Sequence, residues 1–418
     1  MSGKAGKSQS VAVPARLHGL DALRGGLLLL GVVQHATAPY IPIDHYSEVL
    51  DIRHSMAIGC LSFVSHIFRM IAFFVLAGLF ARMSLHRLGT IGFARDRFKR
   101  IFVPLVVGWV AIVPAMVALF GWALVRSYGL AGLQGELGPQ ATIHADGIPL
   151  QHLWFLYILS LLCALTVLAK LVMDKLDPAG RLSGMAHGLA RRALSTPFAI
   201  LALAAPTTLV LATTAGWTVS SGVPTPNVGL LYVNRSLVIY GAAFAAGWAM
   251  HRQLDLAQTW ARWWPWCLPT ALVLSLVCYD LIGYHVHAPA PSHLDSLVEA
   301  TLYAVTAWTW TFALIGLSLR FMSRASAARR YLADSSYWIY LVHPPLVLWL
   351  GDAIRTVGWP APLKLVFTVG VAMLILLASY QLIVRHSFIG AWLSGKRREP
   401  AVTASALTGD HGASPAYV

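Results

Sequence analysis

Two residue types that a bilayer tolerates badly recur in pairs along this chain. The stretch LDALRGGLLLLGVVQH sets Arg24 and His35 eleven residues apart in an apolar run, and SHIFRMIAFFVLAGLF sets His66 and Arg69 three apart in the next. An ionisable group near a helix centre costs roughly 2.5–3.5 kcal/mol on insertion, so such residues are functional candidates. Histidine removes a proton from a hydroxyl near neutral pH. Arginine offers a fork of donors to a phosphate or a developing oxyanion. At about 100° per residue, Arg24 and His35 fall within about 20° of one helix face, about 16 Å apart along the axis, with Asp21 within about 40° of that face. The plainer reading pairs Asp21 with Arg24 at one membrane surface and leaves His35 capping the helix at the other.

Three further stretches add to this set. RDRFKRIFVP gathers Arg95, Arg97, Lys99 and Arg100 at the start of a third apolar run, a density that suits either phosphate binding or ordinary charge bias. HLWFL brings His152 and Trp154 to the start of a fourth run. SSYWIYLVHPPL places His343 inside a ninth, followed by Pro344 and Pro345, which should kink or break that helix beside a cavity. An outward-lying histidine, an inward-lying basic cluster and a polar stripe between them suggest a reaction that spans the membrane. The donor would approach from the cytoplasm and the acceptor from outside. The chain has no GxxxxGK[ST], no GxSxG with a plausible elbow, no HExxH and no Cys/His metal spacing. Its four cysteines, Cys60, Cys163, Cys267 and Cys278, sit in apolar runs and read as small buried hydrophobes.

The elements that must position these residues are membrane helices. Hydrophobic residues make up 57% of the 418 and charged residues 11%, about half the charge of a soluble domain. Ten apolar segments stand out, at about 18–38, 57–80, 101–124, 151–173, 197–215, 232–250, 264–284, 296–318, 335–351 and 363–385. If both termini are cytoplasmic, the inner segments hold 23 of the 31 Lys and Arg residues. The net charge of +14 is then positive-inside bias and does not point to nucleic acid. The expected class is all-α: a polytopic transmembrane helix bundle of about ten spans. A basic tail over 1–16, read as no cleaved leader, precedes a membrane domain over 17–395. A disordered tail follows over 396–418.

In sequence the chain resembles the acyltransferase-3 family of integral membrane O-acyltransferases, from about Leu20 to about Leu393. The family's Arg-x10-His signature is Arg24 and His35. Its FRM..FFV..G stretch is Phe68, Arg69, Met70, Phe73, Phe74, Val75 and Gly78, preceded by His66, with Ala77 where serine is usual. Arg97, Arg100 and Pro104, then HLWFL from His152, then Tyr340 to His343 with Pro345 and Leu346, follow in order.

The resemblance implies an acyl-CoA co-substrate, succinyl-CoA before acetyl-CoA, and an acceptor hydroxyl on a periplasmic glucan or other envelope polysaccharide. It implies a multi-pass protein of the bacterial inner membrane, bounded by lipid and with room for a homo-oligomer. His35 would be general base or transient acyl carrier. Arg24 would line the channel and help to hold the donor. Arg97 and Arg100 would take the CoA phosphates. His66 and Arg69 would stabilise charge at the reacting centre. His152, Trp154, His343 and Asp21 would shape the substrate pocket. A transporter or flippase would also use buried His, Arg and broken helices, but the Arg24–His35 pattern has no repeat later in the chain. A membrane scaffold would leave His35 without a role.

Overall fold

The computed structural model describes residues 17–42, 49, 51–133, 148–196, 198–226, 229, 230, 233–250, 254–282, 290 and 292–394. The tails expected at 1–16 and 396–418 lie outside them. Among the described residues the chain is helical and has no strand. The helices are α1 (Leu17–Thr37), α2 (Met56–Arg97), α3 (Val103–Tyr128), α4 (Trp154–Leu176), α5 (Arg181–Leu194), α6 (Ala199–Ala212), α7 (Asn234–Met250), α8 (Leu254–Ile282), α9 (His293–Phe321), α10 (Ala327–Ile354), α11 (Ala361–Ser379) and α12 (Phe388–Ser394). Each of the ten apolar segments of the sequence falls on one of them. Among the described residues, five continuous helical stretches are long and apolar enough to cross a membrane, or six if the bent pair α5–α6 is one span. The chain is a multi-pass membrane protein. α1 and α10 are long but carry ionisable groups, and α7 has only 17 residues.

One of those stretches, Met56–Tyr128, has 73 residues, whereas one crossing needs about twenty. It is broken at Gly89, whose φ of 67° only glycine adopts without penalty. The sequence suggested a loop through 81–100. The structure instead runs helix up to that single residue and resumes after it, because RMSLHRL before Gly89 holds neither glycine nor proline. A π-helical turn at Phe98–Phe102 then leads into α3. The expected loop at 174–196 holds α5, which exposes Leu182, Met185 and Leu189 at the helical spacing of one face.

Of the kink or break expected in α10, the break is absent: the helix runs through Pro344 and Pro345. α3, α6 and α8 likewise run through internal prolines. Membrane helices tolerate this where neighbouring groups take up the freed carbonyls.

α1 lies against α2 and α10, while α9 lies against α2, α6 and α8. α2 and α7 cross backbone to backbone at two glycines. A Cβ on Gly78 would lie 1.9 Å from the Phe244 carbonyl oxygen, and one on Gly247 1.7 Å from that of Val75. Small residues of this kind bring membrane helices together. Large apolar side chains such as Val110, Leu168, Leu276 and Leu374 stay more than half exposed, an outer surface suited to lipid. Gly78→Ala or Gly247→Ala should therefore destabilise the bundle by about 2 kcal/mol or more. Gly26→Ala, with nothing within 4 Å of the added carbon, should be neutral or slightly stabilising. Thermal unfolding in detergent measures both.

Candidate functional site

The C-terminal half of α1, with facing parts of α2, α3, α9 and α10 and the residues leading into α4, encloses a cavity of ≈ 480 Å³. His35, His66, Arg69, His152, Trp154 and His343 all line it. These residues come from 35 to 343 in the sequence and from three different helices and a fourth helix start. His35 is exposed although it lies within the bundle, because its ring faces this cavity. The rings of His35 and His343 are 5.2 Å apart, centre to centre, and those of His152 and His343 6.0 Å. His66 and Arg69 are within electrostatic range of His35.

Two of these histidines are held by main-chain oxygens. His343 Nδ1 lies 2.9 Å from the Tyr340 carbonyl oxygen and 3.0 Å from that of Ile339. His152 Nε2 lies 3.0 Å from the Leu341 oxygen. A carbonyl only accepts, so each of these nitrogens carries the proton. That leaves His343 Nε2 and His152 Nδ1 as lone-pair acceptors. Both are buried and neither has a hydrogen-bond partner among the described residues. Tyr340 donates its hydroxyl to the His152 carbonyl oxygen at 2.7 Å, which locks the start of α4 to α10.

Gly31 explains how close this packing is. A Cβ there would lie 2.8 Å from Arg69 Nη1 and 3.7 Å from His343 Nε2. Gly31 lies one helical turn before His35 and on the same face. The guanidinium and the imidazole thus meet over an α1 position that has no side chain.

The other sequence candidates lie elsewhere. Arg24 ion-pairs with Asp21 at 2.7 Å, as the plainer reading had it, and lies over the Phe80 ring at 5.1 Å. Arg100 pairs with Asp96 at 2.9 Å, and Arg97 approaches the same carboxylate at 3.6 Å. Arg24 and Arg100 each come within electrostatic range of Arg97, a cluster of cations from α1 and the α2–α3 junction. Neither that cluster nor Asp21 reaches the cavity wall, which begins at Leu27 on α1. α1 therefore carries a basic cluster near its N-terminus and the cavity near its C-terminus. Phe74 is fully buried and packs on Tyr240 at 4.6 Å, while Phe73 reaches the cavity.

Sequence reasoning missed Gln34, Ser62, Tyr240 and Tyr303, and named Tyr340 only as a motif residue. Gln34 donates to Ser62 Oγ at 3.1 Å and accepts from Ser65 Oγ at 2.5 Å, joining α1 to α2 beside His35. An amide inside an apolar helix, next to the signature histidine, was the signal that could have found it. Tyr240, Tyr303 and Tyr340 line the cavity, and Trp154 stacks on Tyr240 at 5.5 Å. Tyrosine is too common in helices to be singled out by spacing.

A helical bundle that is apolar outside and holds histidines, an arginine and aromatic rings around an internal cavity suits group transfer on a polar substrate within a membrane. The chain belongs to the Acyl_transf_3 family of acyltransferase domains, whose model matches residues 17–381. Among curated proteins it is similar to glucans biosynthesis protein C of Salmonella agona and of Salmonella paratyphi A. Each is 24% identical over 402 residues, covering 92% of this chain and 96% of the relative. No solved structure matches the chain.

Proposed function

We propose that this protein is a transmembrane O-acyltransferase. It would move an acyl group, succinyl before acetyl, from cytoplasmic acyl-CoA to a sugar hydroxyl of a periplasmic glucan or other envelope polysaccharide. The observation that carries this reading is the gathering of His35, His66, Arg69, His152 and His343 around one cavity in a chain of this family. About ten spans, with both termini in the cytoplasm of an inner-membrane protein, would put Arg24, Arg97 and Arg100 on the donor side and the cavity nearer the acceptor side.

In the simplest route a ring nitrogen of His35 takes the proton of the acceptor hydroxyl as that oxygen attacks the thioester carbonyl carbon. Arg69 and His66 face the negative charge that builds on the carbonyl oxygen. The intermediate collapses with cleavage of the C–S bond, and the CoA sulfur takes the proton from His35. In the other route His35 first accepts the acyl group and then passes it on. Trp154 offers aromatic surface to a sugar, backed by Tyr240, with His152 and His343 beside it. At the far end Arg97 and Arg100 bind the CoA phosphates, and the Asp21–Arg24 pair lies on the route between.

The deciding measurement is mass spectrometry of periplasmic and surface glycans from cells with and without the protein. A loss of one succinyl or one acetyl unit per modified sugar supports the reading and identifies the donor. Unchanged acylation of every glycan refutes it. A narrower expectation concerns the donor site. Arg100→Ala should raise the KM for acyl-CoA roughly tenfold with little change in kcat, since one charge-assisted contact is lost in ground and transition states alike. An effect on the acceptor KM alone would move the donor site elsewhere.

A further inference from the structure

The two prolines after His343 account for the Tyr340 and Leu341 oxygens that the histidines take up; the Ile339 oxygen, 3.0 Å from His343 Nδ1, is a further acceptor that neither proline frees. In an α-helix the N–H of residue i bonds the carbonyl of residue i−4. Pro344 and Pro345 have no N–H, so the carbonyls of Tyr340 and Leu341 are left without helical partners inside an unbroken helix. Buried carbonyls are costly to leave unpaired. The Tyr340 oxygen is taken by His343 Nδ1, and the Leu341 oxygen by His152 Nε2. Each vacated acceptor meets one cavity histidine.

We propose that the Pro344–Pro345 pair is a tautomer-setting device and that His343 is the positioning residue for His35. The prolines fix the proton on His343 Nδ1, so that Nε2 faces α1 with a free lone pair. His343 is 1% exposed, and this nitrogen has no partner among the described residues. An N–H···N bond of about 3 Å between two imidazoles sets their centres about 5 Å apart, and those of His35 and His343 are 5.2 Å apart. His35 itself makes no hydrogen bond to another described residue, so its ring is free to complete the contact.

This part rests on the acyltransferase reading. His35 donates one ring N–H to His343 Nε2 and thereby presents its other nitrogen, unprotonated, to the acceptor hydroxyl. When that nitrogen takes the hydroxyl proton, the resulting imidazolium keeps its bond to His343. The proton then leaves with the CoA sulfur, and both rings return to their starting tautomers. Arg69 Nη1, near the same Gly31 position, disfavours a second positive charge at Nε2. His343 therefore accepts a hydrogen bond and does not store the proton. The arrangement does for His35 what a carboxylate does for the histidine of a serine protease, with a neutral acceptor in a membrane interior.

The test uses the full chain in nanodiscs and has two independent readouts. Nitrogen-15 NMR of histidine-labelled protein, with His343 assigned through the His343→Gln variant, should show a protonated Nδ1 and a bare Nε2. In Pro344→Ala the restored main-chain N–H competes for the Tyr340 oxygen and leaves Nδ1 the Ile339 oxygen alone, so the second tautomer should appear as a minor population beside the first. A wild-type His343 protonated at Nε2 overturns the proposal, even if no proline variant folds. In turnover of succinyl-CoA or acetyl-CoA with a glucan oligosaccharide, His343→Gln keeps an acceptor near the Nε2 position and should stay within about tenfold of wild type. His343→Leu should lose roughly 100-fold or more in kcat with KM little changed. Equal kcat in wild type and His343→Leu overturns the positioning role. If the wild-type chain transfers no acyl group, the acyltransferase reading fails, while the NMR result still decides whether the prolines set the tautomer.

Discussion

His35→Ala should lower acyl transfer by about 10²–10⁴-fold, the usual contribution of a positioned general base, while the protein stays inserted and folded. The second half of that expectation follows from the site. His35 has no hydrogen bond to another described residue and its ring faces a cavity, so its removal frees no main-chain group; the one buried acceptor concerned is His343 Nε2, which lies beside the same cavity. His152→Ala and His343→Ala would each free a main-chain carbonyl as well, which confounds chemistry with structure. The assay is release of free CoA from succinyl-CoA or acetyl-CoA in the presence of a glucan oligosaccharide, with size-exclusion chromatography as the check on folding. A variant within twofold of wild type would remove His35 from the mechanism. Rapid-quench trapping separates the two roles: an acyl group retained on wild-type protein and absent from His35→Ala identifies the carrier route.

The helices were legible in the sequence because lipid imposes one rule throughout: an apolar run of about twenty residues whose backbone is satisfied within itself. Membership of the cavity was legible only in part. His35, His66 and Arg69 are conspicuous because each is costly where it sits. Arg24 is equally conspicuous, yet it is settled by Asp21 one turn away and by the Phe80 ring. Cost alone does not say whether the compensating partner is structural or a substrate. The prolines show a second limit. Pattern reading treats Pro344-Pro345 as a break, because within one helix the two carbonyls have nowhere to go. The donors that save the helix are a side chain on the same turn and another 189 positions away, and the second is invisible to local sequence. Gly89 failed in the opposite sense: one residue with positive φ does the work of a loop.

The ion pair at the end of the bundle beyond the cavity was not legible at all, and it carries the largest stability effect expected here. Asp51 precedes α2 and Lys364 lies in the first turn of α11, and both side chains are 0% exposed. Lys364 falls at the very start of the last apolar segment, 363–385, where a lysine would be solvated. Instead Lys364 Nζ reaches both Asp51 oxygens at 2.8 Å and the Arg355 carbonyl oxygen at 3.0 Å, which uses all three of its donors. Asp51 also accepts the Arg53 N–H at 2.7 Å. Arg355 in turn pairs with buried Asp352, as does Arg126 from the end of α3. Lys364→Met would strand a buried carboxylate and should destabilise the protein by about 3–5 kcal/mol. Asp51→Asn with Lys364→Met should recover most of that loss, since replacing a buried pair by neutral groups is often close to neutral. Thermal unfolding in detergent gives both values, and a double variant no more stable than Lys364→Met would show that the lysine acts through packing. Function should follow stability: Val49, two residues before Asp51, and Thr368, one turn after Lys364, both line the cavity. The single variant should lose turnover at temperatures where the wild type is still active, and the double variant should regain it.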